Sequence, residues 1–284
     1  MTGATVPTIT LHDQTTIPQL GFGVFQVPPA DTARAVSEAL EAGYRHIDTA
    51  QMYGNEAGVG EALAAAGLPR EEVYVTSKLS NASHRPDDAR RSFEETLERL
   101  RLDRIDLFLI HWPLPTRYDG DFVSTWQTLA ELAKEGRATS VGVSNFQPDH
   151  LDRIVQETGV VPVVNQVEVH PYFRNETVRA ANAGYEIATE AWSPIARGAV
   201  LDDPTVVRVA DEVGATPSQV TLRWHLQRGD IVFPKSVRAE RMRENLGALE
   251  VELSDQQMAA LDGLDRGEDG RCGPHPDTFD RIPD

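Results

Sequence analysis

Residues 43–56 read GYRHIDTAQMYGNE. Gly43 suits a left-handed helix end, residues 46–49 read as a short strand, and Asn55 stands where a helix would start. Between strand and helix lie a carboxylate, Asp48, and a phenol, Tyr53. The stretch is one strand-to-helix junction with two ionisable groups held at it. Their ordinary pKa values, about 4 and about 10, make neither useful near neutrality without a third group.

The same junction recurs in both directions along the chain. Runs rich in β-branched residues at 20–24, 73–78, 105–111, 140–144, 163–169, 186–192 and 231–236 alternate with stretches of helical period. The helices begin near Asp31, Asn55, Pro86, Asp121, Pro148, Asn175, Thr205, Thr216 and, last, Arg238. Several open on a capping residue or a first-turn proline, and Gly43, Gly67, Gly136, Gly159, Gly184 and Gly229 close many of them. Alternating units of this kind imply parallel strands with right-handed crossovers, and eight of them predict an α/β fold, a closed (β/α)8 barrel. Residues 8–11 and 16–17, around His12-Asp13-Gln14, predict an N-terminal β-hairpin. No linker, repeat or low-complexity tract interrupts the chain, so residues 1–284 read as one domain with an irregular tail after Asp265. An open doubly wound sheet is the alternative arrangement, but no strand–GxGxxG–helix unit supports it. Gly58-Val59-Gly60 lies inside a predicted helix and reads as helix packing, and no phosphate-binding Walker sequence is present.

Composition narrows the partners. A hydrophobic share of 40% and a charged share of 25% are those of an ordinary soluble protein. A net charge of −17 argues against nucleic acid or an anionic membrane, so any anionic ligand needs its own local basic patch. Cys272, the single cysteine, closes no intrachain disulfide, which fits a reducing compartment. The first residues lack the basic and apolar segments of an export signal, and no apolar run approaches the ~20 residues of a membrane helix. The expectation is a cytoplasmic protein.

In such barrels the site forms at the C-terminal ends of the strands. That rule selects Asp48 and Tyr53 after the second strand, Lys78 at the third and His111-Trp112-Pro113 at the fourth. Ser144-Asn145, Gln166, Trp192-Ser193-Pro194 and Lys235-Ser236 follow on the remaining four. Each has a plain reading alone: Asp48 as a cap, Tyr53 as packing, Lys78 as a solvated cation, His111 as a core histidine. Gathered on neighbouring strand ends, they predict a site. Lys78 is the third group, because a cation beside a phenol lowers its pKa while Asp48 holds the cation in place. Tyr53 would then exchange a proton nearer neutrality, and His111 would hydrogen-bond a substrate carbonyl. Further on, Lys235, Arg238, Arg241 and Arg243 outnumber Glu240 and Glu244 at a helix start, a combination suited to phosphate.

GYRHIDTAQMYGNE, the WPLP after His111, STWQTLAELAKEGRATSVGVSNF and VFPKSVRAERMRENL together resemble the aldo-keto reductases. The likeness runs from LGFGVFQV to the tail. VPPADT, NQVEVHP, Trp192 before Ser-Pro and PHPD are most similar to the bacterial 2,5-diketo-D-gluconate reductases. The resemblance implies NADPH-dependent reduction of aldehydes and ketones by a monomer, with Tyr53 as acid/base, Lys78 and Asp48 as its support, and His111 orienting the carbonyl. It places Ser144, Asn145 and Gln166 at the nicotinamide carboxamide and Trp192, where the family more often has Tyr, on the ring, beside Ser193 and Pro194. Lys235, Ser236 and Arg241 would surround the 2′-phosphate and Asn245 would meet the adenine. Phe25, Met52 and Trp112 would wall the substrate pocket. Relatives usually have Leu-Trp after the lysine; here Leu79-Ser80 removes that wall unless Met52 or a tail residue such as Phe279 replaces it.

Two other classes of function can be built on such a barrel. One is a nicotinamide-binding regulatory or sensor barrel, against which the intact Asp48, Tyr53, Lys78 and His111 set argues. The other is a metal-dependent or paired-carboxylate hydrolase built on Glu168 and His170, which no further His or Asp completes. No metal is expected.

Overall fold

The computed structural model describes residues 6–283. The hairpin is present, β1 (Thr8–Thr10) pairing antiparallel with β2 (Thr16–Pro18). The alternation follows: β3 (Phe22–Gly23), α1 (Pro29–Ala42), β4 (His46–Asp48), α2 (Glu56–Ala65), β5 (Tyr74–Leu79), α3 (Pro86–Leu100), β6 (Ile105–Ile110) and α4 (Val123–Lys134). It continues with β7 (Ala138–Ser144), α5 (Pro148–Thr158), β8 (Val164–Glu168), α6 (Glu176–Gly184), β9 (Ala188–Trp192), α7 (Pro204–Val213), α8 (Pro217–Gln227), β10 (Ile231–Val232), α9 (Ala239–Leu246) and α10 (Asp255–Asp262).

Strands β3 to β10 form one parallel sheet in sequence order. A parallel bridge between Leu20 and Val232 joins its two edges, with Gly21 N–H donating to Val232 O at 2.7 Å and Val232 N–H to Gln19 O at 2.9 Å. The sheet is a closed barrel. Helices cover its outside, and the main apolar core lies between the two layers, with Phe93, Phe108 and Trp126 fully buried. The hairpin closes the opposite end, where Leu11 and Ile17 pack with Leu107, Leu109, Val164 and Ile231. Only the mouth at the strands' C-terminal ends is left to hold a site.

The boundaries differ from the sequence reading in instructive ways. The eighth barrel strand stops at Val232, because Pro234 has no N–H to extend a ladder. Arg238 does not precede the last helix: α10 follows, opened by a capping box of Ser254 and Gln257. Gly184 is the final residue of α6 and takes no left-handed conformation, whereas Gly43 does, at φ 114°. Asn55 precedes α2 without capping it; its amide donates to Val24 O and accepts from the Thr49 hydroxyl. Gly60 does pack helices. A Cβ there would stand 2.5 Å from the carbonyl oxygen of Arg99. No helix among the described residues is long and apolar enough to cross a membrane.

Candidate active site

Register aims the first two groups. Asp48 pairs with Thr76 across β4 and β5, and Lys78, two residues on, lies on the same inward face. The Lys78 ammonium, fully buried, contacts Asp48 Oδ1 at 2.8 Å, Asp48 Oδ2 at 2.9 Å and the Thr49 carbonyl at 2.9 Å. Its fourth neighbour is the Tyr53 hydroxyl at 3.5 Å. Tyr53 ends a short 3₁₀ turn, Gln51–Tyr53, which stops at Gly54 with φ 67°. The turn is held by Gln51, whose side-chain nitrogen donates to Ser92 O and Thr96 Oγ1 and whose oxygen accepts from Ser80 N–H.

Burial works against the ammonium, yet Asp48 and Tyr53 outweigh it and the Lys78 pKa is raised. The tyrosine behaves otherwise than expected. Burial pushes the Tyr53 pKa up by more than Lys78 pulls it down, and Asp48 adds to the rise. The lysine's effect has the predicted direction, but the net shift is upward, because a phenolate is poorly solvated there. Tyr53 is held as a phenol at neutral pH. His111 meets it edge-on, ring centres 5.7 Å apart. Burial, then Lys78 and His84, hold the His111 pKa well below the ordinary value, so its imidazole is neutral. Its Nδ1 is buried without a hydrogen-bond partner among the described residues. A phenol proton and a neutral ring thus lie side by side.

The next strands add an amide layer. Gln166 Nε2 donates to Asp48 Oδ2 at 2.9 Å and to Glu190 Oε2 at 2.7 Å, leaving its carbonyl oxygen as the uncommitted end. Asn145, at φ 64°, donates to His111 O and Ser144 Oγ and accepts the Trp192 indole N–H at 2.9 Å. The Ser144 hydroxyl donates to Gln166 O. Ser193 follows at φ 51°, and Pro194 O is bonded by His225 Nε2. Beyond β10, Lys235, Arg238 and Arg241 are exposed, and among the described residues none of them is paired with a carboxylate. Ser236 Oγ accepts from Arg238 N–H beside the start of α9, and Asn245, buried, accepts from Ser218. A flat ring fits the amide layer, and a phosphate fits the unpaired cations. The donor set suits a phosphorylated nicotinamide dinucleotide.

The family model for the aldo/keto reductase family matches residues 19–266. The chain belongs to that family. An aldo-keto reductase of Mycolicibacterium smegmatis is 47% identical over 273 residues, 96% of this chain and 98% of its own. The methylglyoxal reductase DkgA of Escherichia coli K12 is 44% identical over 273 residues, 95% of this chain and 97% of its own. The apo crystal structure of Gox0644 is similar at TM-score 0.93 and 44% identity, covering 97% of this chain and 99% of that one. A mutant of Gox0644, crystallised with NADPH, matches equally well.

The mouth of this aldo/keto reductase beside Tyr53 is aromatic. Phe25, half exposed, sits 5.0 Å from the Tyr53 ring; Met52 is half-buried; Trp112 is buried against Phe279 at 4.2 Å. Ser80 turns the loop, its Oγ accepting from Ala82 N–H, and the tail adds Phe279 to the aromatic side chains here. The reductase holds that tail through Glu168. Its carboxylate accepts from Cys272 N–H and Gly273 N–H and is bonded by His170 Nε2 at 2.9 Å. Cys272 Sγ thus completes a group with Glu168 and His170, their potential ligand atoms within 4.8 Å, which sequence spacing did not anticipate. Because N–H donors already take both carboxylate oxygens, the trio reads as a latch. Asn81 bonds Arg281 O and Arg117 pairs with Asp280 further along. Glu190 was not singled out from sequence either. A lone carboxylate in the strand ATEAW, paired in register with Gln166, was the available signal.

Proposed function

We propose that, in the NADPH-dependent carbonyl reduction this reductase carries out, Tyr53 gives the proton and Lys78, Asp48 and His111 prepare it. The observation that carries this is the contact of one buried ammonium with both Asp48 oxygens and the Tyr53 hydroxyl. NADPH, when bound, supplies hydride to the carbonyl carbon. The neutral His111 ring and the Tyr53 phenol meet the carbonyl oxygen, and Tyr53 donates as negative charge builds there. Lys78, fixed by Asp48, then stabilises the phenolate left behind. Ser144, Asn145 and the free oxygen of Gln166 would hold the carboxamide, with Trp192 on the ring and Ser193 and Pro194 shaping the turn beside it. Lys235, Ser236 and Arg241 would take the 2′-phosphate, and Asn245 the adenine.

We infer small dicarbonyls of the methylglyoxal or diketogluconate kind as substrates, supported by the names of the DkgA relatives and the motifs shared with their class. Phe25, Met52 and Trp112 would be the walls. We also infer a single-domain monomer working in the cytoplasm without a nucleic-acid partner, supported by the charge of −17 and the lone cysteine. A regulatory role without turnover has no observation of its own in its favour. Tyr53→Phe should slow methylglyoxal reduction by about 10²–10⁴-fold. NADPH affinity, read by fluorescence quenching, should be nearly unchanged. Turnover at the parent rate would remove Tyr53 from the mechanism.

A further inference from the structure

Two carboxylates share the barrel interior with one ammonium. Lys78 is committed to Asp48, the Thr49 carbonyl and Tyr53, so among the described residues Glu190 forms no ion pair. Glu190 is completely buried. Among the described residues its only hydrogen bond is the one that Gln166 Nε2 donates to Oε2, and Oε1 has no partner. That same nitrogen reaches Asp48, so a continuous path runs from Glu190 through Gln166, Asp48 and Lys78 to the Tyr53 hydroxyl. An ionised carboxylate supported by one neutral amide in such a place is strongly disfavoured.

We propose that Glu190 is a positioning residue for proton transfer: it fixes the Gln166 amide that grips Asp48, and its own proton governs how readily Tyr53 ionises. The inference rests on the reading of Tyr53 as proton donor. The surroundings leave no other group to neutralise Glu190. From β4 it is faced by Asp48, and from β5 by Lys78 and by Tyr74, whose hydroxyl is also unpartnered among the described residues. The adjoining strands contribute no cation: on β8, Glu168 is turned to His170, and on β10 Ile231 is the paired residue. Asp230, just before β10, is held by Arg179 and His225, and the α6 residue Arg179 is thereby taken up. Burial first, then Asp48, push the Glu190 pKa up to about 8. The acid is therefore neutral at physiological pH and ionises within an accessible range.

The sign of its effect follows. With Glu190 neutral, Asp48 and Lys78 cancel. Once Glu190 loses its proton, an added negative charge opposes a phenolate at Tyr53, so Tyr53 keeps its proton to higher pH. Glu190→Gln keeps the acceptor for Gln166 and removes the titration. Two measurements test the idea. In the wild-type chain labelled with ¹³C-glutamate, an infrared band of a protonated carboxyl should persist at pH 7, vanish as pH passes about 8, and be missing in Glu190→Gln. In the pH profile of kcat/KM for reduction, the alkaline fall should come at lower pH in Glu190→Gln, by about half a unit or more. No protonated glutamate band at pH 7, or an alkaline limb that does not move, overturns the proposal. Tyr53→Phe keeps the two readings apart: retained turnover there defeats the Tyr53 assignment, while the infrared band judges Glu190 whatever that result. The band needs no variant, so a Glu190→Gln chain that folds poorly would not rescue the idea.

Discussion

At the scale of single residues, Arg241 gives the sharpest test of cofactor choice. It is exposed and has no acidic partner among the described residues, so its removal disturbs little else. Hydrogen bonds to charged groups are worth roughly 1.5–3 kcal/mol, so Arg241→Ala should weaken NADPH about ten- to a hundredfold. NADH, lacking the 2′-phosphate, should change little; titrating both cofactors decides it, and an equal loss would assign the arginine elsewhere. Residue identity was legible from sequence because a barrel places chemistry at strand ends, and Asp48, Lys78 and His111 stand there. The direction of the Tyr53 shift was not legible. Two opposing effects compete at that hydroxyl, and only burial, a property of the assembled mouth, decides between them. Glu190 escaped for a related reason: which face of a strand looks inward is fixed by register with its neighbour.

Among elements, the tail beyond α10 is joined to the barrel by hydrogen bonds at β8 and near Ser80 and by ring packing on Trp112. Glu168→Gln should loosen it by removing the charge that holds two backbone N–H groups and His170. A raised KM with a nearly unchanged kcat is expected, together with a lower Tm in thermal denaturation. An unchanged KM would mean that the tail keeps its seat without the latch. Nothing in the tail's own sequence announces this docking, because Cys272 and Gly273 bind through their backbones. By contrast, the alternating strands and helices were readable, being bounded by proline at helix starts and by glycine at turns. The helix α10 was missed since only Leu261 of it is buried, which leaves little periodic signal. Sequence also marked the empty place at Ser80 without showing that Phe279 would come to lie against Trp112.

For the whole molecule, histidines buried without charge contribute to the loss of stability in acid. Burial lowers the pKa of His46 and of His84 to about 4. The unfolded chain takes up protons near the ordinary value of about 6.5 while the folded one refuses them. Their contribution is therefore complete above that value, declines as pH falls below it, and is gone near pH 4. On the order of 3 kcal/mol each is involved. Tm should drop steadily across that window in a pH series, and a flat profile would contradict the burial. The barrel has one further property, which lies in its closure. The strands that meet to complete the ring, β3 and β10, have two residues each, and they are fastened through Leu20 and Val232. The ring is a bracelet whose clasp is its shortest link. In hydrogen–deuterium exchange the amides of Gly21 and Val232 should lose protection ahead of those in β6 and β7, since short ladders open first. The second strand of the clasp runs on to Lys235, and Arg241 lies in the helix that follows. A dinucleotide drawn to those cations would slow the clasp's exchange, so that occupancy could be timed from the backbone, with no substrate and no turnover.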